Sequence, residues 1–248
     1  MILIAARVTI ESLGRWDKHP PSGGPIGASL VDPPDVRRMS AAPSECVLES
    51  TAASQQSRGA VLIPALTASG HLPPGRHPAA LDDVRMKFVD AFPGSTTRSR
   101  IWNGFLRYLR AWDDAEHTAG VEVLHGVWIA GSFTTSISDP SDIDVSPIYD
   151  KPALLKLQGR PGSGKFRALI EHRARIVDEY MVEPFAVPWV PVESTLLPDR
   201  LPPLARDALA TRGGLDSWWG RVRPPGAKTA PTLQTRIADR GYLEVVLR

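Results

Sequence analysis

Val127-Trp128-Ile129-Ala130-Gly131-Ser132-Phe133-Thr134-Thr135 is followed closely by Asp139-Pro140-Ser141-Asp142-Ile143-Asp144-Val145. The first four residues are apolar and read as a buried strand. Gly131-Ser132 then turns the chain tightly. Glycine lets a backbone come close to a phosphate because no Cβ intervenes. Serine adds a hydroxyl beside exposed backbone amides, an arrangement that favours anions. After a short loop the chain returns as a second strand. Residues two apart on a strand share a face, so Asp142 and Asp144 point the same way. Neighbouring carboxylates repel unless a cation lies between them. Hard oxygen ligands suit Mg²⁺ or Mn²⁺, which bridge to substrate phosphates. The competing reading is structural: Asp and Ser are common in exposed turns such as Asp139-Pro140-Ser141.

Before this segment, Arg98 to His117 reads as a long amphipathic helix. Ile101, Trp102, Phe105, Leu106, Leu109 and Trp112 recur at helical spacing, with Arg100, Arg107 and Arg110 between them. Gly120 closes it. Val121 to Ala130 reads as one interrupted strand or two short ones. Further upstream, Leu72 to Pro78 is a rigid lead-in, and Pro78 suits the first turn of a short helix over Ala79 to Phe92. Downstream, Pro152 to Gln158 and Phe166 to Val177 read as helices. Tyr180 to Val187 is a strand candidate interrupted by Pro184. Pro188 to Pro203 is proline-rich and extended. Leu204 to Thr211 is a short helix stopped by Gly213-Gly214, and Tyr242 to Leu247 is a last strand. The expected class is α/β: a small mixed sheet flanked by helices.

Residues 1–60 carry breakers such as Pro20-Pro21-Ser22-Gly23-Gly24-Pro25 and little that would bury enough surface to offset chain entropy. They are expected to be disordered, with translation from Met39 as an alternative to Met1. The division expected is a folded domain over 61–195 and an extension over 196–248 that packs on it. With 29 Lys and Arg against 27 Asp and Glu, the net charge of +2 does not announce a nucleic-acid binder. The single cysteine, Cys46, makes no internal disulfide, and zinc spacing is absent. A cytoplasmic setting is expected. Met1 to Ala6 is apolar but is interrupted by Arg7 and Glu11, so neither a membrane span nor a signal peptide is expected.

A strand, Gly-Ser, about ten residues, then Asp-x-Asp on the next strand resembles the signature of the nucleotidyltransferase superfamily. That superfamily includes DNA polymerase beta, the aminoglycoside nucleotidyltransferases and the minimal nucleotidyltransferases of toxin–antitoxin pairs. The segment also resembles a small family of predicted nucleotidyltransferases with a Leu-Pro-Pro-Gly-x-His-Pro lead-in, matched here by Leu72 to Pro78. The resemblance covers roughly residues 61–190. It implies transfer of a nucleoside monophosphate from an NTP through two Mg²⁺ or Mn²⁺ ions. Asp142 and Asp144 would ligate the metals, and Gly131 and Ser132 would hold the β- and γ-phosphates. A third carboxylate on a later strand would complete the set. Glu183 fits best, although Pro184 follows it; Asp178 and Glu179 are the alternatives. The acceptor implied is RNA, a protein hydroxyl or a small molecule. By the same analogy a protein antitoxin is a partner. Without a third acid the implied alternative is an inactive module that binds or regulates.

Gly159-Arg160-Pro161-Gly162-Ser163-Gly164-Lys165-Phe166 has P-loop spacing, but Phe166 stands where Ser or Thr would hold Mg²⁺ and a helix precedes it. A flexible loop between helices is the reading preferred over a P-loop NTPase, with Lys165 and Arg160 in reach of a phosphate if the loop folds over the site. Trp218-Trp219 with Arg221, Arg223, Lys228, Arg236 and Arg240 is read as one packed Trp and a solvated basic loop, against an RNA-stacking surface. His77 and His125 are assigned no role.

Overall fold

The computed structural model describes residues 63–192, 200–223 and 238–247. All belong to the unit Arg58–Arg248. The expectations for residues 1–60, Met39, Cys46, Lys228, Arg236 and the boundary at 195 lie outside the described residues.

Strand alternation sorts the sheet into two faces. The strands are β1 (Gly75–Pro78), β2 (Leu124–Ala130), β3 (Ile143–Asp150), β4 (Val182–Pro184), β5 (Val187–Trp189) and β6 (Gly241–Val246). They form one mixed sheet in the order β1-β6-β2-β3-β4, with β5 also beside β3. The β2–β3 and β2–β6 pairs are antiparallel; the β1–β6, β3–β4 and β3–β5 pairs are parallel. Val127, Ile129, Ile143, Val145, Val182, Leu243 and Val245 belong to the larger core. That core includes residues of α2 (Arg98–Ala119), α4 (Ser163–Glu171) and α5 (Arg173–Tyr180). The alternate residues Trp128, Ala130 and Tyr242 meet Val187 and Trp219 in a smaller cluster beneath α6 (Pro203–Trp219). Asp144 and Ser146 are in phase with this second set, so the carboxylate belongs to the α6 face and not to the larger core.

Local differences from the sequence reading have identifiable causes. Pro78 ends β1 instead of opening a helix; α1 (Leu81–Arg85) follows and runs into a π-helical turn, Met86–Asp90. A four-residue edge strand tolerates prolines and leaves no periodic signal. The helix read over Phe166 to Val177 is two, α4 and α5, broken at His172. Tyr180 to Val187 yields β4 and β5 separately, because Pro184 limits pairing. Helix α6 runs through Gly213-Gly214 to Trp219, where the packed Trp outweighs the glycine penalty. The remaining helix, α3 (Lys151–Lys156), is capped by Asp150, whose side chain accepts from Ala153 N–H at 2.7 Å. As expected, α2 ends at Gly120 in the left-handed region, φ 65°. Among the described residues no helix is long and apolar enough to cross a membrane.

Arg98, at the start of α2, is fully buried. Its guanidinium donates to the carbonyls of Phe88 and Phe133, both at 2.7 Å, of Thr135 at 2.9 Å, of Ile137 at 2.5 Å and of Ser138 at 3.2 Å. The ring of Phe92 lies 3.8 Å from its Cζ. Burial pushes its pKa down to about 10, so it keeps its charge at neutral pH. Asp139 secures the far end of the same loop by accepting from Thr96 N–H at 2.6 Å, Thr96 Oγ1 at 2.9 Å and Ser95 Oγ at 3.2 Å. Arg98→Met should leave five carbonyls short of donors and lower stability by about 3 to 5 kcal/mol. A shift in the urea midpoint checks this, and Arg98→Lys should rescue little, since an ammonium has only three donors. An unchanged midpoint would refute the clamp.

Candidate functional site

Gly131 ends β2 at φ 73° and ψ −159°. A Cβ built there would strike the Asp144 carboxylate, so only glycine lets that acid lie against the turn. Ser132 opens a 3₁₀ turn, Ser132–Thr134, that Thr134 Oγ1 and Thr135 Oγ1 secure by donating to the carbonyls of Gly131 at 3.2 Å and Ser132 at 2.7 Å. The Gly-Ser turn and the first aspartates therefore meet at one end of the β2–β3 hairpin. Across that hairpin Ala130 pairs with Asp144.

Glu183 comes to the same place by a different route. Met181 adopts a left-handed conformation, φ 55°, at the end of α5. This reverses the chain into β4, which runs parallel to β3, and sets Glu183 in register with Asp144. Gly104 of α2 lies directly beneath this reversal; a Cβ there would collide with the Tyr180 carbonyl. Asp142 precedes β3 and is half-buried, as are Asp144 and Glu183. The alternatives for the third acid lie elsewhere: Asp178 and Glu179 are exposed on α5, and Glu179 pairs with Arg175 at 3.3 Å.

The three acids are close enough to disturb one another. Burial, the Glu183 charge and the Asp142 charge push the Asp144 pKa up to about 7, against a smaller opposing effect of Arg240. Burial and Glu183 also raise Asp142, partly offset by Ser141 and Arg173. Glu183 itself is paired with Arg173. Carboxylate oxygens in mutual repulsion match a hard divalent cation in kind. Even so, among the described residues no three His, Cys, Asp or Glu side chains are gathered as a ready metal cluster. Glu183 is turned onto its arginine.

Arg240 is a site neighbour that pattern reading placed in a solvated loop. It is buried, it donates to the Gly131 carbonyl at 3.2 Å, and it acts on Asp144. A lone arginine ahead of a short strand carries no sequence signal for this. Trp219 is the packed member of its pair, donating from Nε1 to the buried Ser146 Oγ at 2.9 Å and meeting Phe185 edge-on at 5.0 Å. The P-loop-like stretch joins α3 to α4 without a preceding strand, and Phe166 is core, 6.0 Å from Trp112. Lys165 donates to Thr118 at the last turn of α2. That turn leads into the start of β2, about 20 Å of strand away from Gly131. His77 bonds the Pro73 carbonyl at 2.8 Å, and His125 lies 3.7 Å from Asp150.

A carboxyl whose pKa rises on folding contributes its stability below its unfolded value, 3.8 for Asp144, and loses it as pH climbs through about 7. Asp144→Asn should therefore be more stable than the wild type at pH 8, by on the order of 2 kcal/mol, with the gap closing toward pH 4. Thermal melts across that range decide it; equal melting temperatures at pH 8 would contradict the repulsion.

No curated protein and no solved structure matches the chain. Residues 64–245 match the model of a family of unknown function (DUF6932), and the chain belongs to that family.

Proposed function

We propose that the protein is a metal-dependent nucleotidyltransferase that moves a nucleoside monophosphate from an NTP to an acceptor hydroxyl. The observation that carries this reading is the register of Asp144 with Glu183, beside the glycine turn that Asp144 itself fills. Asp144 on β3, Asp142 just before it and Glu183 on β4 lie near enough to act on one another, beside the Gly-Ser turn with its amides and hydroxyl. Mg²⁺ or Mn²⁺, when bound, would supply charge neutralisation for the phosphates and the reacting oxygens. Asp142, Asp144 and Glu183 would hold it. Gly131 and Ser132 would receive the β- and γ-phosphates, while the missing Cβ lets the Asp144 carboxylate lie against the same turn. Arg240 would fix the turn through the Gly131 carbonyl. The acceptor oxygen forms a bond to the α-phosphorus as the bond to pyrophosphate breaks, and a carboxylate of the cluster takes the hydroxyl proton. RNA, a protein hydroxyl or a small molecule would serve as acceptor. We place the reaction in the cytoplasm, on the single cysteine, with a protein antitoxin as the partner suggested by analogy.

A second reading has two specific observations behind it. The pairing of Glu183 with Arg173, together with the high pKa of Asp144, suits a catalytically inactive member that binds or regulates. Labelled NTPs, Mg²⁺ or Mn²⁺ and total cellular RNA and protein discriminate the two. Transfer of label that falls by about 100-fold or more in Asp142→Ala and in Asp144→Ala is expected for the enzyme. Absence of label transfer from every NTP, with no metal-dependent NTP binding, would leave the inactive module.

A further inference from the structure

Arg173, the first residue of α5, has nearly half of its side chain in solvent and is nonetheless held at two points. Its guanidinium pairs with the Glu183 carboxylate, and its Cζ lies 4.5 Å from the centre of the Phe185 ring. Glu183 and Phe185 are two apart along an extended segment and so lie on one side of it. Arg173 follows that side. It also acts on Asp142, opposing the effect of Glu183 there. A single cation thus serves two of the three acids, and its own carboxylate partner is the neighbour of the third in register.

We propose that Arg173 is the resident counter-cation of the acidic cluster, and that its docking on Glu183 and the loading of a divalent cation at that acid exclude one another. The inference rests on the metal-dependent reading above. A carboxylate oxygen in a charge-assisted bond directs a lone pair at the N–H donor. A hard ion needing the same oxygen must displace that donor. Displacement is feasible because both partners reach solvent, and a half-exposed pair of this kind is weak. Phe185 gives the released guanidinium a ring face on which to rest, so Arg173 stays beside the site.

Mn²⁺ titration of the full chain, with free Mn²⁺ followed by electron paramagnetic resonance, tests this without any turnover. Arg173→Gln should bind Mn²⁺ roughly fivefold more tightly than the wild type, the gain expected from removing a partly exposed competing pair. Arg175→Gln removes the same charge from the same helix but pairs with Glu179, so its affinity should match the wild type. Asp144→Asn should abolish binding in either background. Affinity in Arg173→Gln equal to or weaker than the wild type overturns the competition and leaves the metal site standing. An equal gain in Arg175→Gln also overturns it, since a general field effect would then suffice. Absence of Mn²⁺ binding in both the wild type and Arg173→Gln overturns the inference and the metal-dependent reading together. Binding in Arg173→Gln alone supports both.

Discussion

A guanidinium with no water around it has to find its acceptors inside the protein. Arg98 finds five, and every one is a backbone carbonyl. Four of them lie in the loop between the Gly-Ser turn and the aspartates, at Phe133, Thr135, Ile137 and Ser138. The fifth, at Phe88, belongs to the π-helical turn after α1. One side chain thus sets the path of the segment joining β2 to β3. The loop itself has few apolar side chains to bury, so hydrogen bonding replaces packing as the source of its order. Asp139 does the same at the loop's far end, with Ser95 and Thr96 as donors.

Two further devices assemble the groups around the aspartates. Gly131 supplies a hollow in which the Asp144 carboxylate lies, and Arg240 donates to the carbonyl of that glycine. Met181 and Gly104 together bring β4 in beside β3, so that Glu183 falls opposite Asp144. The outcome is a concentration of like charge on the sheet face beneath α6, the face with the smaller apolar cluster. Burial and mutual repulsion hold Asp144 partly protonated near neutrality. Such an arrangement opposes stability, and proteins keep strained charge mainly where it serves a task. Arg173, at the start of α5, and Arg240, just before β6, relieve part of the cost.

Strong periodic signals were legible without coordinates. The long helix α2, the strand ending at Ala130, the return strand with Asp144 and the final strand all follow from apolar spacing, and Trp102 and Trp112 are core as their spacing implies. Short elements were not legible. A four-residue β1 made of Gly-Arg-His-Pro has no alternation to read, and its pairing with β6 joins segments more than 150 residues apart. The glycine pair inside α6 looks like a stop until Trp219 has a pocket to fill. The break at His172 is equally silent, because the apolar spacing continues across it.

The sequence by itself marked the Gly131-Ser132 turn and the strand that returns with Asp144, because both follow from the pattern of neighbouring residues; Asp142, read as sharing that strand's face, instead precedes β3. The family resemblance put Glu183 first as a third acid, with Asp178 and Glu179 as alternatives. What the sequence left open, and what the tertiary structure decided, is which groups surround those acids. Arg98, Arg173 and Arg240 are ordinary arginines in the chain; they become a clamp, a partner of Glu183 and a turn support only when the fold brings distant carbonyls and carboxylates within reach, burying Arg98 and Arg240 and leaving Arg173 half in solvent. Charge interactions depend on distance in space and on solvent exposure, and neither is written in the local pattern of residues.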